Sequence, residues 1–234
     1  MNTLYRHLEG PQTHARILFA DFTSVFNTIQ PHILANKLVS YFSLDNHLVL
    51  WIIAFLTNTT QRVFVNGRFS ELSLTCTGSP QGCVLSPLLN ILYTDDCRSN
   101  HLNRFLVKFA DDSALLSLLQ GSEQYHGPAL AEFDWCDNSY LDLNVTKTKE
   151  VIVDFRRQEH SPGKTIIHNN EVEIVSKYKH LGTIFDDKLK WDDNTEEIVK
   201  KGQQRLYLLR KLNYFSVDQK ILILFLIYFL QILY

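Results

Sequence analysis

The chain has 234 residues, 45% of them hydrophobic and 21% charged, the mix of an ordinary globular protein rather than a disordered or collagen-like one. Its formal net charge is −2, so any contact with nucleic acid must rest on local patches and not on a global basic field. Four scattered cysteines form no CxxC pair and nine histidines form no HExxH, which leaves the common zinc patterns without a candidate and suits free thiols in a reducing compartment.

Residues 1–8 contain no apolar h-region, so no secretory signal is expected. Arg16–Asp21 reads as a buried strand ending in a carboxylate. The pattern then turns helical through Val25, Phe26 and Ile29, and restarts at Pro31. Leu48–Leu56 is a second helix, expected to present Trp51, Ile52 and Phe55 on one side. Arg62–Phe69 reads as a hairpin turning at Asn66-Gly67. A loop, Gly78-Ser79-Pro80-Gln81-Gly82, precedes a helix from Ser86 through Tyr93, with Pro87 in its first turn. Phe105–Ala110 and Ser113–Leu116 flank Asp111-Asp112 as strand, acidic turn and strand.

A helix from Glu123 to Tyr140 leads to a strand at Glu150–Phe155, then to two short strands, Thr165–His168 and Val172–Val175, around Asn169-Asn170. Asn194 with Glu197 has the spacing of a helix N-cap and its capping-box partner. From Ile198 to Phe215 there are five basic residues and no acidic one. The apolar run Ile221–Leu230 is shorter than the roughly 20 residues a membrane span needs and reads as a core helix; no membrane partner is expected. Strands and helices mix without βαβ alternation, which predicts an α+β fold, an antiparallel sheet covered by helices on one face.

Adjacent aspartates repel, and each raises the cost of ionising the other. In isolation such a pair reads as a solvated turn, and Asp95-Asp96, Asp186-Asp187 and Asp192-Asp193 are read in that way or as helix caps. Only Asp111-Asp112 has apolar strand patterns on both sides, where a divalent cation would relieve the repulsion. Mg²⁺ favours sites built from one or two carboxylates, waters and substrate phosphates. The Gly78–Gly82 loop, by itself a turn before a helix, would let backbone approach a ligand at Gly82, and the helix start behind it favours phosphate.

Three segments occur in order: Phe19-Ala20-Asp21-Phe22-Thr23-Ser24-Val25-Phe26, Gly78-Ser79-Pro80-Gln81-Gly82-Cys83-Val84-Leu85-Ser86-Pro87, and Phe109-Ala110-Asp111-Asp112. Together they resemble the palm motifs of reverse transcriptases of LINE-type (non-long-terminal-repeat) retrotransposons. Leu143–Lys149 with Val153–Arg157, and Tyr178-Lys179-His180-Leu181-Gly182, resemble the two motifs that follow in that family. The similarity runs over about residues 13–212, and five ordered motifs make coincidence improbable.

The resemblance implies a polymerase palm with residual fingers over residues 1–190 and a partial helical thumb over 191–234. It implies RNA-templated synthesis of DNA by two-metal nucleotidyl transfer to a primer 3′-hydroxyl. Two Mg²⁺ (or Mn²⁺) ions, an RNA template, a DNA primer and deoxynucleoside triphosphates would be the cofactors and partners. Asp21 and Asp111 would be the principal metal ligands and Asp112 would complete the acidic set. Phe26 falls where the family carries a gate against the 2′-hydroxyl, although its spacing alone reads as a core phenylalanine on an amphipathic helix. Gln81 and Gly82 would line the nucleotide pocket. Lys147, with Lys149 as the alternative, would be the proton donor to pyrophosphate; both also suit a solvated strand edge. Tyr178, Leu181 and Gly182 would support the primer end, or form an ordinary hairpin.

Relative to the family, only 20 residues precede Asp21, the endonuclease domain is absent and the thumb is short. Two other functions therefore compete: an inactive remnant with weak nucleic-acid binding, and an unrelated metal-dependent phosphohydrolase. The latter would leave Phe26 and the Gly78–Gly82 loop unexplained.

Overall fold

The structure is a computed structural model, and it describes residues 1–23, 25–99, 101–121, 135–156 and 163–231. The chain divides into two compact units, Met1–Ser176 and Lys177–Tyr234. The sequence-based boundary at 190/191 lies further along the chain.

The first unit is organised by a five-stranded sheet. Its central strand, β1 (Thr13–Asp21), is buried along its first seven residues and half-buried at Ala20 and Asp21. Both faces of the strand are covered, as the apolar run Ile17–Ala20 requires, and the buried Arg16 is accommodated there only by its pairing with Glu150. Helix α1 (Asn2–Leu8) precedes it and buries Leu4. After β1 come α2 (Val25–Thr28), α3 (Pro31–Ser40) and α4 (Asn46–Leu56). Pro31 opens α3, where its missing N–H costs nothing, and Asp45 caps α4 by accepting from the His47 N–H at 2.8 Å. The expected inner face of α4 is corrected. Val49, Ile52 and Leu56 are the buried positions and Phe55 packs half-buried against the same cluster, whereas Trp51, stacked on Phe55, is 55% exposed.

Four short strands follow: β2 (Thr59–Gln61) pairs with β5 (Ser73–Thr75), enclosing the hairpin of β3 (Phe64–Val65) and β4 (Arg68–Phe69). Asn66 and Gly67, at φ +50° and +76°, make the expected turn. Helix α5 (Leu85–Thr94) buries Ser86, Leu89, Asn90 and Tyr93. Strands β6 (Arg104–Phe109) and β7 (Asp112–Gln120) form a hairpin, and β8 (Lys149–Asp154) lies on the other side of β1. Strands β9 (Ile166–Ile167) and β10 (Asn170–Glu171) turn at His168-Asn169, one residue earlier than expected. Strand β11 (Glu173–Ile174) then adds to β8 in parallel, giving the sheet order β11-β8-β1-β7-β6, with the other pairings antiparallel. Most of the helix expected at Glu123–Tyr140 lies outside the described residues; residues 135–138 are helical.

Two of the apolar clusters among the described residues bear on the site. One joins α2 through α5 with Cys136 and Leu141; the other lies against the sheet around Leu18, Leu115, Leu143, Ile167 and Val172, and Phe22 packs on both. Arg16 and Glu150, 2% and 0% exposed, pair through two hydrogen bonds of 3.0 and 2.6 Å. Thr165 donates to the same carboxylate, so the buried charges and their lone pairs are satisfied.

The second unit is a hairpin of β12 (Lys177–His180) and β13 (Thr183–Asp186), followed by α6 (Asp192–Tyr214) and α7 (Gln219–Gln231). The capping box expected at Asn194 and Glu197 does not form. Trp191 is the N-cap at φ +64°, Asn194 accepts from the Ile184 N–H through Oδ1, and Glu197 is held between Lys179 and Lys201. Those two ammonium groups lower the Glu197 carboxyl to about 2. Asp186 is not a solvated loop residue but buried: its carboxylate accepts the backbone N–H groups of Lys188, Lys190 and Trp191. No helix among the described residues is long and apolar enough to cross a membrane.

Candidate active site

The site is built where β1 ends. In the antiparallel register of β1 and β7, Asp21 stands directly opposite Asp112, and Phe109 of β6 is the next residue across. The turn of the β6–β7 hairpin therefore consists of Ala110 and Asp111. Asp112 opens β7 rather than sharing the turn, which corrects the sequence reading. Register partners share a face of the sheet, so Asp21 and Asp112 lie on the face of Phe19, Ala114 and Ile17. Asp111 is exposed and Asp112 half-buried. Ala110 adopts φ +53°, a conformation that L residues other than Asn and Asp seldom take.

A second segment closes on the end of β1. The Thr23 N–H donates to Asp142 O, the Asn144 N–H donates to Asp21 O at 2.8 Å, and the buried Thr148 hydroxyl lies 3.4 Å from the Asp21 N–H. The turn from Asn144 to Thr148 brings Lys147 Nζ to 3.7 Å from Asp21 Oδ2. Lys149 points elsewhere, to Thr146 O and to Glu173 Oε2 at 2.6 Å. The two lysines that the sequence left as alternatives are thus separated by geometry.

The Gly78–Gly82 loop packs against α2. The Ser79 N–H donates to Phe26 O at 2.6 Å and the Gly78 N–H to Ile29 O at 2.8 Å. A Cβ on Gly78 would come within 2.7 Å of Asn27 Cα, so only glycine fits there, and its φ of +80° adds to the demand. Gly82 also has φ +80°, but nothing lies within 4 Å of the place its Cβ would take. Its backbone is open to solvent, and Gln81 beside it is exposed. Phe26 is half-buried on α2, neither locked in the core nor free on the surface. The loop thus meets Phe26 through backbone contact at Ser79, two residues before Gln81. Tyr178, Leu181 and Gly182 belong to the second unit, where Leu181 and Gly182, at φ +49° and +83°, form the β12–β13 turn.

Among the described residues no three His, Cys, Asp or Glu side chains gather into a ready-made metal cage. What the sheet provides is a pair of hard oxygen donors on facing strands with a third in the adjoining turn. Like charges directly opposite on paired strands are destabilising unless something neutralises them. That donor chemistry fits a hard divalent ion whose remaining ligands are water and substrate phosphate.

Reasoning from sequence passed over three contributors. Gly78, not Gly82, carries the close-packing demand. Thr148 is fully buried under Asp21. Asn90 is a buried polar residue on the inner face of α5, and its signal was an amide among Leu85, Leu89 and Tyr93 at helical spacing.

Comparison with known proteins places this arrangement. The family model for reverse transcriptase (RNA-dependent DNA polymerase) matches residues 3–185. The chain belongs to the reverse transcriptase family. A second model, the N-terminal region of alkylated DNA repair protein alkB homolog 8, matches residues 191–226 only. A probable RNA-directed DNA polymerase from the transposon BS of Drosophila melanogaster is 24% identical over 211 residues, which cover 84% of this chain. This reverse transcriptase chain spans 23% of the length of that relative. Among solved structures, apo telomerase from Candida tropicalis truncated from its C-terminal domain superposes with a TM-score of 0.53 at 14% identity, covering 82% of this chain and 37% of that one. Telomerase from the same organism in complex with a fragment of telomeric RNA gives 0.54 at 12%, covering 82% and 32%. The α+β palm architecture expected from sequence is the fold of these neighbours.

Proposed function

We propose that this chain is the palm-containing part of a retrotransposon reverse transcriptase and that it extends a primer 3′-hydroxyl on an RNA template with deoxynucleoside triphosphates. The observation that carries the reading is the Asp21–Asp112 register pair with Asp111 in the adjoining turn, in a chain of this family. Asp21, Asp111 and Asp112 would hold two Mg²⁺ or Mn²⁺ ions. Bound there, the ions would supply charge neutralisation at the attacking and leaving oxygens.

The chain's own residues do the remaining work. Lys147 would give a proton to departing pyrophosphate; its ion pair with Asp21 supports it over Lys149, which is paired with Glu173. Gln81 and Gly82 offer an open backbone edge to the triphosphate just before α5, whose first N–H groups favour phosphate. Phe26, held to that loop through its own carbonyl, is the candidate that excludes a 2′-hydroxyl. Tyr178, Leu181 and Gly182 are assigned to primer support by the family motif, with residues 1–190 as palm and residual fingers and 191–234 as partial thumb.

The relative from a transposon supports the retrotransposon setting, and the telomerase neighbours support the fold. Metal-dependent extension of a DNA primer on an RNA template tests the reading, with Asp111→Asn as the inactivated control.

A further inference from the structure

We propose that Asn90 is a positioning residue for the acidic turn, holding Ala110 so that Asp111 and Asp112 are presented to metal; this rests on the polymerase reading of that site. Asn90 is 1% exposed on the inner face of α5. Its Nδ2 donates to Ala110 O at 3.3 Å, and its Oδ1 is buried with no hydrogen-bond partner among the described residues. A buried amide with one unsatisfied end is a poor choice for stability, since an apolar side chain of similar size would avoid the desolvation. Its side-chain N–H bond goes to Ala110, which holds a positive φ of +53° without being glycine, asparagine or aspartate. Such a conformation persists only where the surroundings hold it.

The same helix grips the hairpin a second time. Lys108 of β6 donates through Nζ to Thr94 O and to Cys97 O at the C-terminal end of α5, where a cation also meets the helix dipole. One helix therefore starts behind the Gly82 backbone and ends clamped to the strand and turn that carry the carboxylates. Asn90 touches neither metal nor substrate; it acts through the position of Ala110.

The test is Mn²⁺ binding to the chain, read by electron paramagnetic resonance, beside thermal melting. Asn90→Leu removes the donor while keeping an inner-face side chain, and Asn90→Ala removes it without overpacking. Both should weaken Mn²⁺ binding about ten- to a hundred-fold, the usual cost of losing a group that orients metal ligands, and Asn90→Leu should melt no lower than the parent. Adding Ala110→Gly to Asn90→Ala should restore most of the affinity, because glycine takes the turn conformation without a tether. Leu88→Ala, on the exposed side of α5, is the control. If Asn90→Leu and Asn90→Ala bind Mn²⁺ as the parent does while Asp111→Asn does not, the positioning role is wrong and the site stands. If the parent shows no Mn²⁺ binding sensitive to Asp111→Asn, the polymerase reading falls with it.

Discussion

Asp21 and Asp112 face each other as the last register pair of β1 and β7, two like charges on neighbouring strands at the same end of the sheet. In an antiparallel pair such partners have Cβ atoms about 4.5–5.5 Å apart, and like charges there cost stability. Asp21→Asn and Asp112→Asn should each raise the melting temperature of the metal-free chain or leave it unchanged, and should each lose metal-dependent nucleotide incorporation. Asp95→Asn, at the end of α5 beside Arg98, should leave incorporation intact. Scanning calorimetry and a single-nucleotide incorporation assay check the two halves.

Phe26 is expected to set sugar selection. Phe26→Val should raise ribonucleotide incorporation relative to deoxynucleotide, with little change in melting because the ring is only half-buried. Steady-state competition between the two nucleotides measures it, and unchanged discrimination would assign the ring to packing alone.

Two glycines of one loop should behave differently. Gly82→Ala pays only for a left-handed backbone, about 1–2 kcal/mol. Gly78→Ala has the same backbone demand and also drives a Cβ into the backbone of Asn27 and Phe26, so the loop or α2 must move. Urea titration should show the larger loss for Gly78→Ala.

Acid stability should depend on Asp154. The Arg156 guanidinium, hydrogen-bonded to it, holds its carboxyl below the usual carboxylate range, and Arg156 also donates to Gly121 O. A carboxyl depressed in the folded state contributes stability that is present above its unfolded pKa and lost as pH falls through the folded one. The parent should therefore exceed Asp154→Asn in stability by a constant margin at pH 6–8. That margin should shrink below about pH 4. Denaturation curves at several pH values give the comparison.

Much of this arrangement was legible in the residues because the information is local. The apolar run into Asp21, the Asn66-Gly67 turn and the strand patterns around Asp111-Asp112 each announce their backbone, and their order carries the family resemblance. What stayed hidden depends on partners distant in sequence. Periodicity on α4 could not tell Trp51 from Val49, because which apolar side faces inward is decided by α3 and α5. Asn194 has the residue type and spacing of a cap, yet β13 takes its side chain. Lys147 and Lys149 stand two residues apart in one short segment, and only the fold of Asn144–Thr148 onto the end of β1 shows which meets Asp21. Asn90 looked like one polar residue on a helix until its bond to Ala110 connected it with the turn.

The most direct test of the central claim is extension of a DNA primer on an RNA template by this chain with Mg²⁺, comparing the parent with Asp21→Asn, Asp111→Asn and Asp95→Asn. The account predicts deoxynucleotide addition by the parent and by Asp95→Asn, and none by the other two. Addition that survives Asp21→Asn or Asp111→Asn, or a folded parent that adds no nucleotide to a bound primer–template, would contradict it.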